Sequence, residues 1–98
     1  AAAAEEEIEP TIYIMGEVQK PGQFVIKTRT TLMQALALGG GLSPFAAQRR
    51  IQVHRKIKGI DEIYEFDYRA FERGANVDGN IVLRPGDVVV VPERGLFE

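Results

Sequence analysis

The sequence predicts an α+β fold in which one main helix packs against a mixed sheet of about five strands. Two observations support this prediction. Short β-branched and aromatic runs recur along the chain, bounded by Gly, Pro, Asn or Asp residues that favour turns. Only residues 32–38 place apolar side chains along a helical stripe of useful length. With 98 residues the chain has the length of one domain, which we expect over residues 9–98.

The amino-terminal segment, residues 1–8, has a biased composition of four Ala and three Glu before Ile8. We interpret it as a frayed helical lead-in, a linker or a cloning remnant, and we leave it out of the fold prediction.

The first predicted element is a hairpin. Residues 11–16 are β-branched and aromatic and end in a glycine, which is typical of a strand. Pro21 and Gly22 suit the two central positions of a turn, and residues 23–27 return as the second strand.

The main helix is predicted to follow this hairpin. Thr31 and Gln34 have the spacing of a capping box at a helix start, and Gly39–Gly41 end the helix. We expect a second, shorter helix at Ser43 and Pro44, with serine as the cap and proline at the first helical position.

A second hairpin is predicted next, because residues 51–57 and 63–66 alternate apolar and polar side chains on either side of Gly59. Asp67 can cap a single helical turn that ends at Gly74.

The last predicted element is a third hairpin. Residues 81–83 form its first strand, residues 84–87 its tight turn and residues 88–91 its second strand. Four consecutive valines predict that this second strand is buried on both faces, and Pro92 ends it.

The composition argues against several classes of function. The chain has no cysteine, and its net charge of −2 does not suit a dedicated nucleic-acid binder. No apolar run is long enough to cross a bilayer, so we expect a soluble chain. We interpret Ser43 as a cap and His54 as a polar strand residue, and the acidic residues from Asp61 as a solvated strand. We therefore predict no catalytic residue, no metal site and no cofactor.

Several motifs occur in a distinctive order. They are Tyr-Ile-Met-Gly-Glu-Val at 13–18 with Pro21-Gly22, Thr31-Leu-Met-Gln-Ala-Leu followed by residues 37–42, Phe66-Asp67-Tyr68, Asn80, and Leu-Arg-Pro-Gly-Asp-Val-Val-Val-Val-Pro at 83–92. Together they resemble the soluble-ligand-binding β-grasp (SLBB) domain of bacterial polysaccharide export proteins. The resemblance implies a single β-grasp, ubiquitin-like domain over residues 9–98.

The same resemblance implies a function. It is that of a non-enzymatic binding or assembly module, on the periplasmic side of the outer membrane, in a protein that exports capsule or exopolysaccharide. The implied partners are polysaccharide, including an acidic one, the other domains or subunits of a ring-forming exporter, and an inner-membrane polysaccharide co-polymerase. Two alternatives remain open. One is a small-ligand-binding domain of the cobalamin-carrier kind, and the other is a structural adaptor without a ligand.

Candidate contact residues come from charge and from an aromatic side chain. The stretch from Arg49 to Lys58 contains no acid and is followed by acidic residues from Asp61, so cross-strand pairs can neutralise it. Alternatively, Arg49, Arg50 and Arg55 form a basic surface for an acidic polysaccharide or an adjacent subunit. Tyr13 lies on the opposite side of its strand from Ile12, where it either packs or stacks on a sugar ring.

Overall fold

The computed structural model describes residues 9–98, and the expected lead-in of residues 1–8 lies outside the described residues. The elements in chain order are β1 Thr11–Gly16, β2 Gly22–Val25, α1 Leu32–Leu38, β3 Ile51–Ile57, β4 Ile60–Phe66, α2 Tyr68–Glu72, the 3₁₀ helix η1 Val77–Gly79 and β5 Val88–Val91.

The five strands form one mixed sheet in the order β2-β1-β5-β3-β4. β1 pairs antiparallel with β2 and parallel with β5, while β3 pairs antiparallel with both β5 and β4. One main helix, α1, packs on this sheet. The predicted α+β architecture with a β-grasp-like sheet is therefore confirmed.

The core lies on one face of the sheet. Ile12 and Ile14 of β1 are fully buried there with residues of α1, including Leu32, in one apolar cluster. Tyr13 and Met15 lie on the other face and are exposed. We call this other face the open sheet face. The prediction that Tyr13 lies on the opposite side of its strand from Ile12 is confirmed, because side chains alternate along a strand.

The predicted signals at both ends of α1 are confirmed. The Thr31 hydroxyl accepts a hydrogen bond from the Gln34 backbone N–H at 3.3 Å, and the Gln34 side chain accepts one from the Thr31 N–H at 2.9 Å. At the other end Gly40 has a φ of 81°, the left-handed conformation predicted for a helix cap. Both ends of this short helix thus have their free backbone groups bonded.

The predicted cap of the helical turn after Asp67 is also confirmed. The Asp67 carboxylate accepts a hydrogen bond from the Ala70 N–H at 2.9 Å, and α2 is followed by Gly74 with a φ of 83°. The ring of Phe71 contacts that of Phe66, with centroids 5.5 Å apart, so α2 lies against the end of β4.

The prediction of a short helix at Ser43 and Pro44 is wrong, because this segment is a turn. The Ser43 hydroxyl accepts a hydrogen bond from the Phe45 N–H, as a cap would, and donates one to Glu17 at 2.8 Å. The next residues then join an extended segment, since the Ala47 N–H donates to the Pro92 carbonyl at 2.8 Å. That pairing ends any helical turn.

The prediction of a third hairpin, with residues 81–83 paired to residues 88–91, is also wrong. Val82 forms an isolated bridge with Thr31, and the turn before β5 bonds to β1, since the Gly86 N–H donates to the Thr11 carbonyl at 2.7 Å. β5 then runs between β1 and β3.

The valines of β5 are not buried on both faces. Val89 and Val91 are fully buried, whereas Val88 and Val90 are only half-buried on the open sheet face. The core covers one face of the sheet only, which is why the second face of this central strand stays accessible.

Candidate functional site

A basic pocket of about 440 Å³ lies where residues 44–49, α2 and the segment from Arg94 to Glu98 meet. Its polar and aromatic lining consists of Gln48, Arg49, Arg69, Arg94, Phe97 and Glu98. We use the name basic pocket for the cavity with this lining. Pro44, Ala46 and Ala47 complete its wall.

Backbone pairing positions two sides of the basic pocket. Ala46 bridges Glu93, and the Arg94 N–H donates a hydrogen bond to the Phe45 carbonyl at 2.8 Å. These contacts fasten the chain after β5 alongside residues 45–47. Arg94 is thereby brought to the segment that carries Arg49.

The third side of the basic pocket comes from α2. The Tyr68 N–H donates a hydrogen bond to the Gln48 carbonyl at 2.8 Å, which fixes the start of the helix beside residue 48. Arg69 follows at once, and its guanidinium lies 3.5 Å from the Gln48 side-chain oxygen. Arginines distant in sequence therefore line one cavity.

Arg50 and Glu98 form a two-point ion pair at the rim of this pocket. Arg50 Nε donates to Glu98 Oε2 at 2.8 Å and Nη2 donates to Oε1 at 2.7 Å, the paired geometry that a guanidinium makes with a carboxylate. Arg50 also donates to the Glu93 carbonyl at 3.2 Å.

The ion pair changes the titration of both partners. The hydrogen bond from Arg50, followed by that from the Gly95 N–H, lowers the pKa of Glu98 from 4.5 to about 2. The hydrogen bond to Glu98 likewise raises the pKa of Arg50. Glu98 is therefore an anion throughout the physiological range.

The charge at this place is strongly positive. Among residues 9–98 the ion pairs include Arg50 but none of Arg49, Arg69 and Arg94. A guanidinium stays protonated at neutral pH and only donates hydrogen bonds. The arrangement consequently suits the binding of an anion.

Of the two neighbouring arginines singled out in the sequence, Arg49 lines the basic pocket and Arg50 binds Glu98 at its rim. Arg50 has a partner that the charge pattern of the second hairpin did not indicate, because the carboxylate of Glu98 reaches it. Sequence reasoning missed Arg69, Arg94 and Phe97. No local pattern marks them, since only the fold brings them to Arg49.

Arg55 does not lie on a basic surface, and this corrects the expectation for it. Its side chain is buried, and its Nη2 donates to Asp87 Oδ2 at 2.7 Å and to the Val82 carbonyl at 3.1 Å. The Asp87 hydrogen bonds raise its pKa, and its guanidinium lies 5.1 Å from the centre of the Tyr64 ring. The alternation of side chains along β3 could have indicated that Arg55 is buried.

The strand period places Arg55 on the same side as Ile51 and Val53, both fully buried. Its neighbour Lys56 points the other way. Lys56 lies 3.7 Å from Asp61 of β4, which is one of the cross-strand pairs expected from the charge pattern.

Tyr13 does not line the basic pocket, and its surroundings are mostly apolar. It lines a second cavity, of about 490 Å³, on the open sheet face with Met15, Gln23 and Val88. The lining contains no charged side chain. This surface suits an apolar or aromatic contact and offers nothing to an anion.

Two classes of site are not found within residues 9–98. No group of three or more His, Asp or Glu side chains there could hold a metal ion. The helices in this part of the chain are short, and none has both the length and the apolar character needed to span a membrane.

Comparison with known proteins gives one result. The model of the SLBB domain family matches residues 11–91, nearly the whole chain. No curated protein matches the sequence. The match ends before Arg94, so one wall of the basic pocket lies outside the matched residues.

Proposed function

This chain belongs to the SLBB domain family, and from that premise we propose that it is a non-enzymatic module of a bacterial polysaccharide exporter. Family membership implies a domain that binds a soluble ligand. The observation that carries the finer proposal is the basic pocket, where Arg49, Arg69 and Arg94 converge beside an exposed aromatic ring. Its chemistry complements an acidic sugar chain.

The openness of the surface also supports a polymer as the ligand. An exporter must hold a long chain weakly enough to let it move, so side chains at an open surface are better suited than a sealed cavity. Arg49 and Arg50 are exposed at such a place. Tyr13, on the open sheet face, is the candidate for a stacking contact with a sugar or a neighbouring domain.

The proposal includes a location and partners. The parent protein acts on the periplasmic side of the outer membrane, in a ring of subunits that receives polysaccharide from an inner-membrane co-polymerase. This module contributes contacts to the polysaccharide or to adjacent domains of the ring. A cobalamin-type carrier and a ligand-free adaptor are the competing functions.

The test is an in-frame deletion of residues 9–98 from the parent gene, with exported and retained polysaccharide measured separately. We expect exported polysaccharide to fall while synthesis continues and material accumulates inside the cell. Immunoblotting of the parent protein and complementation with the wild-type gene exclude loss of the whole exporter. Unchanged export with normal levels of the shortened protein would contradict the proposal.

A second measurement separates the competing functions. A carrier would bind one equivalent of cyanocobalamin in equilibrium dialysis, whereas the export module would not. An adaptor would bind neither cyanocobalamin nor any oligosaccharide, yet its deletion would still disturb assembly of the parent protein.

A further inference from the structure

We propose that the basic pocket is a subsite for a carboxylate-bearing sugar, and that Glu98 occupies the seat of the sugar's carboxylate when no ligand is bound. This inference rests on the proposed function, because it names the class of sugar and the place where it binds. The family match does not supply it, since Arg94, Phe97 and Glu98 lie beyond residue 91.

The first argument is the geometry of the Arg50–Glu98 contact. Two hydrogen bonds of 2.8 and 2.7 Å join one guanidinium to one carboxylate. The guanidinium is thus already oriented to receive a carboxylate at the rim of the cavity. A free carboxylate of similar shape can make the same two bonds.

The second argument is that the Glu98 side chain is held at Arg50 by an ion pair exposed to solvent. The side chains of Arg50 and Glu98 are 47% and 35% exposed, and an ion pair in such a place contributes little to the free energy of unfolding. Besides the bonds from Arg50, the Glu98 carboxylate accepts the Gly95 N–H, and the Glu98 N–H donates to the Gly95 carbonyl at 3.3 Å. The Glu98 side chain alone can therefore leave Arg50 at small cost.

The third argument is the balance of charge. Arg49, Arg69 and Arg94 line the cavity with Glu98, and Arg50 binds Glu98, so these five side chains sum to +3 (four minus one) on a chain whose net charge is −2. An external anion that replaces Glu98 takes its place beside Arg50 within this excess of positive charge, and a ligand with more than one carboxylate can also reach the other arginines. Such a concentration of charge also speeds the approach of an anion.

The fourth argument favours a sugar over a simple anion. Phe97 and Pro44 give the cavity an apolar side, on which the C–H face of a pyranose ring can pack. The volume of about 440 Å³ falls in the range of small-molecule sites and has room for a short saccharide. A phosphate or an acetate would leave the apolar side unused.

The test uses amide chemical-shift titration of the whole chain with trigalacturonate. Its neutral methyl ester and inorganic phosphate are the comparison ligands. We expect trigalacturonate to bind with a Kd on the order of millimolar, with shifts at residues 48–50 and 94–98, and to bind less as salt rises. The methyl ester and phosphate should bind much more weakly.

Three variants make the test specific. Glu98→Gln removes the competing carboxylate and should tighten trigalacturonate binding about two- to fivefold, the effect of one exposed ion pair. Arg49→Gln combined with Arg94→Gln should abolish it while the rest of the spectrum is unchanged. Lys56→Gln removes one positive charge outside the pocket, and the affinity should stay within about twofold of that of the wild type.

Each contrary result has a definite meaning. Equal affinity of Glu98→Gln and wild type would overturn the role of Glu98, and equal binding of the methyl ester or phosphate would overturn the carboxylate-sugar assignment. Shifts confined to Tyr13 and Met15 would overturn this inference and leave the proposed function standing. Binding at the basic pocket together with unchanged export in the deletion strain would support the inference and overturn the proposed function.

Discussion

Arg55 and Asp87 form an ion pair inside the domain, with side chains that are 9% and 2% exposed. Arg55 Nε and Nη2 donate to the two carboxylate oxygens at 3.0 and 2.7 Å. Asp87 also accepts the Arg84 N–H at 2.8 Å, within the turn that precedes β5. The pair therefore fastens the interior side of β3 to the turn from which the central strand starts.

Removing one partner of this pair should be strongly destabilising. Asp87→Ala leaves the Arg55 guanidinium buried without its counter-charge, and we expect the free energy of unfolding in urea to fall by about 3–5 kcal/mol. The double variant Arg55→Met with Asp87→Leu should recover much of this loss, because no buried charge remains.

Lys56→Ala is the control for that measurement. Its side chain is 68% exposed and lies 3.7 Å from Asp61, so its loss should cost no more than about 1 kcal/mol. An equal effect of Lys56→Ala and Asp87→Ala would contradict the special role of the buried pair.

A close backbone contact at Gly16 leads to a second prediction. Gly16 has a φ of 94°, and a Cβ there would lie 2.1 Å from the Val91 carbonyl oxygen. This oxygen already accepts the Glu17 N–H at 2.8 Å, so it cannot easily move. Gly16→Ala should therefore destabilise the fold by about 3 kcal/mol, the sum of backbone strain and overpacking.

Gly41→Ala is the matched control. Gly41 has a φ of 86° but open space around its Cα, so only the backbone strain of about 1–2 kcal/mol applies. Urea unfolding of both variants should show Gly16→Ala as the less stable. The reverse order would show that the Gly16 contact is not as close as described.

The capping box of α1 gives a third prediction. A helix of seven residues depends heavily on its ends, and Thr31→Ala removes the acceptor for the Gln34 N–H. We expect a loss of about 1 kcal/mol in the free energy of unfolding. Thr28→Ala changes an exposed threonine before the helix and should stay within about 0.5 kcal/mol of wild type. Similar losses for the two variants would contradict the cap.

The fourth prediction concerns the carboxyl group of Glu98. Its pKa in the folded chain is lowered to about 2 from 4.5, chiefly by the hydrogen bond from Arg50. A group with a lowered folded-state pKa stabilises the folded state above its ordinary pKa and loses this effect as pH falls. The contribution of Glu98 to the free energy of unfolding should therefore be complete above about pH 5. It should disappear as the pH falls from about 5 to about 2.

Carbon-13 detection of the Glu98 carboxyl during a pH titration measures this directly. Arg50→Gln should move the pKa back toward the ordinary value, whereas Arg49→Gln should raise it only slightly, because the charge of Arg49 is the smallest of its causes. A pKa near 4.5 in the wild type would contradict the ion pair.

The parts of the fold that could be predicted from the sequence have local causes. Thr31 and Gln34 lie within one helical turn, as do Asp67 and Ala70, so the residue types alone determine the bond. The first hairpin needed only a strand pattern and Pro21 nearby. Each of these predictions joined residues that are close in the chain.

The parts that could not be predicted depend on distant residues. Nothing near β5 indicates that it lies between β1 and β3, so a third hairpin was expected. Arg55 was expected at the surface because its partner, Asp87, is remote in sequence. For the candidate site, charge pattern identified Arg49 and Arg50, but the fold alone places Arg69 and Arg94 beside them.

The central position of β5 governs how the domain can fold. Its residues pair with β1 on one side and β3 on the other, yet β5 is the last of the five described strands to be synthesised. Until Val91 has left the ribosome, β1 and β3 each keep an unpaired edge, because the strand that lies between them is missing. Closing a loop that spans most of the chain is entropically costly and slow. The hairpins β1–β2 and β3–β4 can pair earlier, but the five-stranded sheet can be completed only after β5 has emerged from the ribosome.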